Sequence, residues 1–331
     1  MRRASKVAAN LAFVIICLIA VGAVFYWQQI SDYVKVQSYE PSASIAQLAD
    51  RSGMSDKGRF YFYVTSPRLD TAGEFNEECR RAEQGSPILG CYNQGSDAIH
   101  IYNIDNPELD GIKEVTAAHE MLHAVFARMS SRDIAKLTPQ LEEAYNRLKT
   151  EDLTERMAYY ERNAPGSRIN ELHSIIGTEF SDIGPQLEEY YAKYFDNRQA
   201  VVALHQNYSQ KFQAIENEIT ALTSRLEQLQ VEINNMTDDY KRRVQALNSR
   251  IEEFNQRATS GYFNSQSEFS QARAQLNQQI ASLNGRRAEI TWLIDQYNAD
   301  VARLNQLGGK MNELQRGLDS LQGVEQGVEA I

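Results

Sequence analysis

Hydrophobic positions divide the chain into three stretches with different periods. Val7 to Trp27 is apolar almost throughout, broken only by Asn10, and about 21 such residues suffice to cross a bilayer core as a helix. From residue 31 to 57 the pattern is polar and reads as a linker, with one short helical stretch near Ile45 to Arg51. Arg59 to Thr65 and Ala98 to Ile104 alternate apolar and polar positions at the period of a strand, and the second is expected at a sheet edge. The spacing turns helical from Ile112 to Met129, and Ser130-Ser131-Arg132-Asp133 is expected to break it. Thr138 and Pro139 then suit the N-cap and first position of a helix reaching about Lys149. Another helix, about Leu153 to Arg162, ends at Asn163-Ala164-Pro165-Gly166, and a further one is expected from Gln186 to Asn197.

The last third of the chain has a stricter period. Phe212, Ile215, Ile219, Leu222, Leu226, Leu229, Ile233, Met236 and Tyr240 step by three and four, the seam of a coiled coil. The step from Tyr240 to Val244 acts as a stutter before Leu247, Ile251 and Phe254 resume. Ala258 to Asn264 breaks the pattern, and a second arm follows through Phe269, Leu276, Ile280, Leu283, Ile290, Ile294, Leu304, Leu314 and Leu321. Two arms around one break predict an antiparallel helical hairpin, roughly 80 Å long at 1.5 Å per residue. Gly308 and Gly309 are expected to fray or kink the second arm. The predicted division is an N-terminal span at 1–29, a linker at 30–57, a mostly helical α+β domain at 58–197 and a coiled-coil hairpin at 198–325. The hairpin carries no chemistry and suits self-association or a protein partner.

Charge and cysteine content narrow the setting. The 331-residue chain has a formal net charge of −10, which argues against nucleic acid or an anionic membrane surface as the main partner. Arg2, Arg3 and Lys6 precede the apolar run, and Phe25, Tyr26 and Trp27 end it in the manner of an interfacial aromatic belt. The positive-inside rule then predicts a single-pass cell-membrane protein with a cytoplasmic N-terminus and the bulk of the chain outside. Cleavage near Val21-Gly22-Ala23 as a signal peptide is the competing expectation. Cys17 lies in the apolar run; Cys79 and Cys91 flank a polar loop, where a disulfide is expected outside the cytoplasm.

One segment carries a chemical signature. His119-Glu120-Met121-Leu122-His123 is H-E-x-x-H inside a run of good helix formers. Residues four apart share a helix face, so both imidazoles present to one point, which suits a metal ion, and Glu120 sits beside it. Only five histidines occur in the whole chain, so this pair is unlike a chance arrangement.

The motif resembles that of the zincin metallopeptidases. The Gly and third His of the metzincin subclass are missing after His123, whereas Asn170-Glu171, at the start of a later helical stretch, is similar to the glutamate-ligand helix of the gluzincins. The resemblance implies one zinc per chain held by His119, His123 and Glu171, with Glu120 as the general base for hydrolysis of a peptide or protein, as an endopeptidase rather than an exopeptidase. It departs from the family where Ile175 stands in place of an acid that orients a motif histidine. Glu179, about 80° round the helix from Glu171, is then the orienting acid or an alternative ligand, and His173, about 200° away, is a weaker alternative. Tyr159 and Tyr160 are candidates to steady the oxyanion. The reading from another class is an envelope scaffold or adaptor built on the coiled coil, with an inactive zincin-like binding domain.

Overall fold

The computed structural model describes residues 26–79 and 88–321, so most of the apolar run from Val7 lies outside the described residues. Among the described residues no helix is long and apolar enough to cross a membrane. The protein is mostly helical with one small three-stranded sheet. It divides into two compact units, the first comprising the described residues up to Gln210 and from Leu314 onward, the second running from Lys211 to Glu313.

The stretch expected as a linker is folded. Helix α1 (Trp27–Ser38) is followed by α2 (Ala43–Arg51), whose N-cap Ser42 accepts from the Ile45 amide and whose Ile45, Leu48 and Ala49 are buried. The strand expected at Arg59 to Thr65 is instead the end of helix α3 (Asp56–Tyr63). Ser55 caps that helix by accepting from the Gly58 amide. Four consecutive aromatics, Phe60 to Tyr63, leave too short a window for period 2 to be told from period 3.6. Gly58 lets the helix close on its neighbour, since a Cβ there would lie 2.1 Å from the Tyr194 carbonyl oxygen.

The sheet has the order β1-β3-β2. β1 (Arg68–Asp70) runs parallel to β3 (Ala98–Tyr102), and β2 (Gly90–Asn93) pairs antiparallel on its other side. The segment expected at the edge is therefore central. Its neighbours are strands of three and four residues, too short to leave a hydrophobic period. Helix α4 (Ala72–Glu78), closed by a Thr71–Glu74 capping box, leads to Cys79, which is bonded to Cys91 on β2.

Helix α5 (Ile112–Ala127), the motif helix, is the centre of the first unit, with twelve of its 16 residues buried. Gly111 precedes it at φ 95°, a left-handed conformation open to glycine, and the start of the later long helix presses against it through Leu204. Helix α6 (Ser131–Leu148) starts seven residues earlier than Thr138, because Ser130 caps it by accepting from the Asp133 amide. Thr138 is interior and bonds back to the Ile134 carbonyl at 2.8 Å. Helices α7 (Glu151–Asn163) and α8 (Arg168–Glu179) follow, then α9 (Pro185–Tyr191), which stops short of the expected Asn197.

Gly177 marks where α8 closes on α5, since a Cβ there would stand 2.6 Å from Leu122 Cδ1 and 2.7 Å from Tyr191 Cε1. Arg198, buried at 5 % exposure, gathers the end of α8 by donating to the carbonyls of Phe180 at 2.7 Å and Ser181 at 2.9 Å. A cation suits the negative end of a helix.

The second unit is built from α10 (Arg198–Thr259) and α11 (Gln266–Leu318), both of which continue into the first. Partners run in opposite senses along the two arms: Arg303 with Glu218, Arg225 with Asp300, Arg286 with Asp239 and Arg257 with Glu268. The hairpin is thus antiparallel, with Met236, Ile290 and Leu293 packed in its seam. Gly308 and Gly309 remain helical, so the second arm is not frayed there; flanking helix on both sides outweighs the roughly 1 kcal/mol per glycine.

Candidate metal centre

The motif helix and α8 lie side by side in the core, and their facing polar groups converge. His119 Nε2 and His123 Nε2 are 3.1 Å apart. Glu171 Oε2 stands 3.8 Å from the first and 3.7 Å from the second, too long for hydrogen bonds. In a tetrahedral site with bonds near 2.1 Å, ligand atoms are separated by about 3.4 Å. The three atoms bracket that spacing, and two nitrogens and one carboxylate oxygen are a donor set zinc accepts.

The two acids beside the imidazoles lie in different surroundings. Glu120 also comes within 4.8 Å of the two imidazole nitrogens, so it reaches whatever they hold. Burial pushes its carboxyl up to about 7; His123 and the Tyr92 amide pull it down and Glu171 adds to the rise. Burial acts the same way on Glu171, but the imidazoles of His119 and His123 and the guanidinium of Arg156 outweigh it and leave that carboxyl lowered. The two carboxyls are thus shifted in opposite directions, Glu120 up and Glu171 down.

Strand β2 fixes where Glu120 sits. A Cβ at Gly90 would meet Thr116 Cγ2 at 2.5 Å and Glu120 Cγ at 2.9 Å, so the strand touches the motif helix only because position 90 lacks a side chain. The edge strand beside the site is therefore β2, not the Ala98–Ile104 segment. His100, on the central strand β3, is buried and lies 2.6 Å from Asp70.

His123 is oriented by residues that sequence reasoning did not assign. Its Nδ1 lies 2.9 Å from Asn170 Oδ1 and 3.3 Å from Ser174 Oγ. An amide oxygen only accepts, so Nδ1 carries the hydrogen and Nε2 offers its lone pair to the centre. The signal was the spacing: Asn170 precedes Glu171, and Ser174 lies one turn on. Ile175, where an orienting acid was sought, is a fully buried core residue.

Two alternatives are corrected. Glu179 is turned away and grips Arg156 in a two-pronged pair, 2.7 Å on each side, with His205 at 3.5 Å. Burial alone would raise its carboxyl; the Arg156 charge and hydrogen bonds prevail and lower it. Eight residues carry it past the end of the facing surface, where a cation from α7 claims it. His173 is wholly buried, its Nε2 2.9 Å from the Tyr190 hydroxyl, its ring stacked on Tyr191 and 5.6 Å from that of Phe126 on the motif helix. Burial drives its pKa down to about 3, so it is a neutral core imidazole. Of the two tyrosines on α7, Tyr160 packs against the core and is close enough to Glu171 and Glu120 to feel their charge. Burial raises its phenol, which remains a proton donor. Tyr159 contacts its ring edge-on, at 5.7 Å between centroids.

No family model matches the chain, and neither a curated protein nor a solved structure matches it.

Proposed function

We propose that the protein is a zinc-dependent metallopeptidase of gluzincin type, anchored in the cell membrane by its N-terminal apolar run, with the catalytic domain outside the cytoplasm. One observation carries this reading: Nε2 of His119, Nε2 of His123 and an oxygen of Glu171 lie 3.1–3.8 Å from one another, with Glu120 beside them. Zinc, when bound there, supplies Lewis-acid activation of a carbonyl and of water. Glu120 takes the proton of the attacking water and passes it to the departing amine nitrogen, so that water and an amide become an acid and an amine. Asn170 and Ser174 hold His123 in the tautomer that leaves Nε2 free. Tyr160, buried within electrostatic reach of Glu171 and Glu120, is the candidate donor to the developing oxyanion. The Cys79–Cys91 bond suits an oxidising compartment.

The test is metal content of the purified full chain beside two variants. About one zinc per chain is expected in the parent and in Glu179→Ala, and its loss in Glu171→Ala. A parent that stays metal-free after zinc is added back leaves the scaffold reading in its place.

A further inference from the structure

Helix α1 has its polarity turned inside out. Its two charged side chains face the protein: Asp32, only 4 % exposed, takes Arg128 Nε at 2.8 Å and Nη2 at 3.1 Å, and Lys35 reaches Asp97 at 2.6 Å. Gln28 joins them, 2.9 Å from Asp32. The opposite face is apolar and bare from Tyr26 to Val34, with the exposed Gln37 following on the same side near the helix end. Trp27 is 69 % exposed, Ile30 50 %, Tyr33 62 % and Val34 61 %, with Tyr26 at 63 % just before the helix. At 100° per residue these five positions form one stripe about 120° wide. A helix facing water shows the reverse arrangement. The stripe also begins at Tyr26 and Trp27, where the 21-residue apolar run ends.

We propose that α1 lies in the membrane–water interface, its Tyr26–Val34 stripe seated among lipid headgroups and upper acyl chains. The inference rests on the N-terminal run being inserted in the bilayer and is independent of zinc chemistry. Tryptophan and tyrosine favour this zone, because their rings are apolar and one end hydrogen-bonds. The stripe carries no charge, so it needs no anionic lipid. Because Arg128 caps the C-terminal end of the motif helix, the same ion pairs tie the seated helix to the element that carries the site.

The chain holds two tryptophans, which allows a clean reporter. Tyr33→Trp in a Trp27→Phe, Trp292→Phe background places one tryptophan six residues past the run, with Val34→Trp in the same background as a second reporter. Six residues are roughly 9 Å along a helix, so one standing upright from the bilayer carries the first reporter clear of the lipid. The full chain is reconstituted into phosphatidylcholine vesicles with or without acyl-chain bromination. Insertion is read separately, as resistance of the chain to carbonate extraction. With insertion intact, brominated lipid is expected to lower the reporter's emission at least twofold and aqueous iodide to have little effect. Quenching by iodide alone overturns the seated helix and leaves the anchor standing. Shielding from both quenchers overturns it in favour of residues 1–25 or a second copy as the cover. A chain extracted by carbonate overturns the anchor and the seated helix together.

Discussion

The two units hold themselves together in different ways. In the hairpin, the same side-chain pattern recurs along two helices, its best-buried seam residues keep 5–9 % exposure, and its Arg303–Glu218 cross-arm pair stands in solvent. In the unit around the motif helix, residues distant in sequence meet once each: Gly177 on Leu122, Gly90 on Glu120, Asn170 on His123, Arg198 on Phe180. A repeated pattern tolerates local loss, because neighbouring layers still pair. A set of single meetings does not, because each buried polar group has one partner to satisfy it. The candidate site belongs to the second kind, where a carboxylate can be kept dry beside two imidazoles.

Four substitutions, in descending order of effect, and one control in the hairpin test that contrast. Glu120→Gln is expected to lower peptide hydrolysis about 10²–10⁴-fold while zinc content stays near one per chain. Leu293→Asp in the hairpin seam, by contrast, leaves both hydrolysis and zinc content unchanged; loss of zinc there breaks the comparison.

The next largest effect is on stability. Arg156→Met strands the buried Glu179 carboxylate and is expected to destabilise by about 3 kcal/mol at neutral pH in urea unfolding. Because the Glu179 carboxyl is lowered in the folded state, its contribution is full above the ordinary 4.5 and fades as pH falls through the folded value. The gap between parent and variant therefore narrows in acid. A gap that widens there contradicts the pairing.

Gly177→Ala follows, with about 1–3 kcal/mol lost to overpacking against Leu122 and Tyr191, read from thermal melts. The smallest effect is expected from Arg303→Ala, which removes an exposed cross-arm pair and moves the melt by less than about 1 kcal/mol.

Much of this was legible before the fold. Heptad spacing alone placed both arms and the break between them, because a coiled coil is built from contacts that repeat at fixed separations. The H-E-x-x-H spacing placed two imidazoles on one face, because the helix itself sets that geometry. Elsewhere local signals misled. Phe60 to Tyr63 read as a strand until Ser55 capped them into a helix, and Thr138-Pro139 suggested a helix start that Ser130 had already made.

By itself, then, the sequence determined the helical hairpin, the α+β character of the remainder and the two histidines with their glutamate. Only the tertiary structure turned Glu171 toward the two imidazoles and Glu179 toward Arg156, put Asn170 and Ser174 behind His123 and brought β2 against Glu120. Those choices depend on which faces of α8 and α5 meet and on where Arg156 stands. No local period encodes them, because the partners come from separate elements and meet only when the core closes.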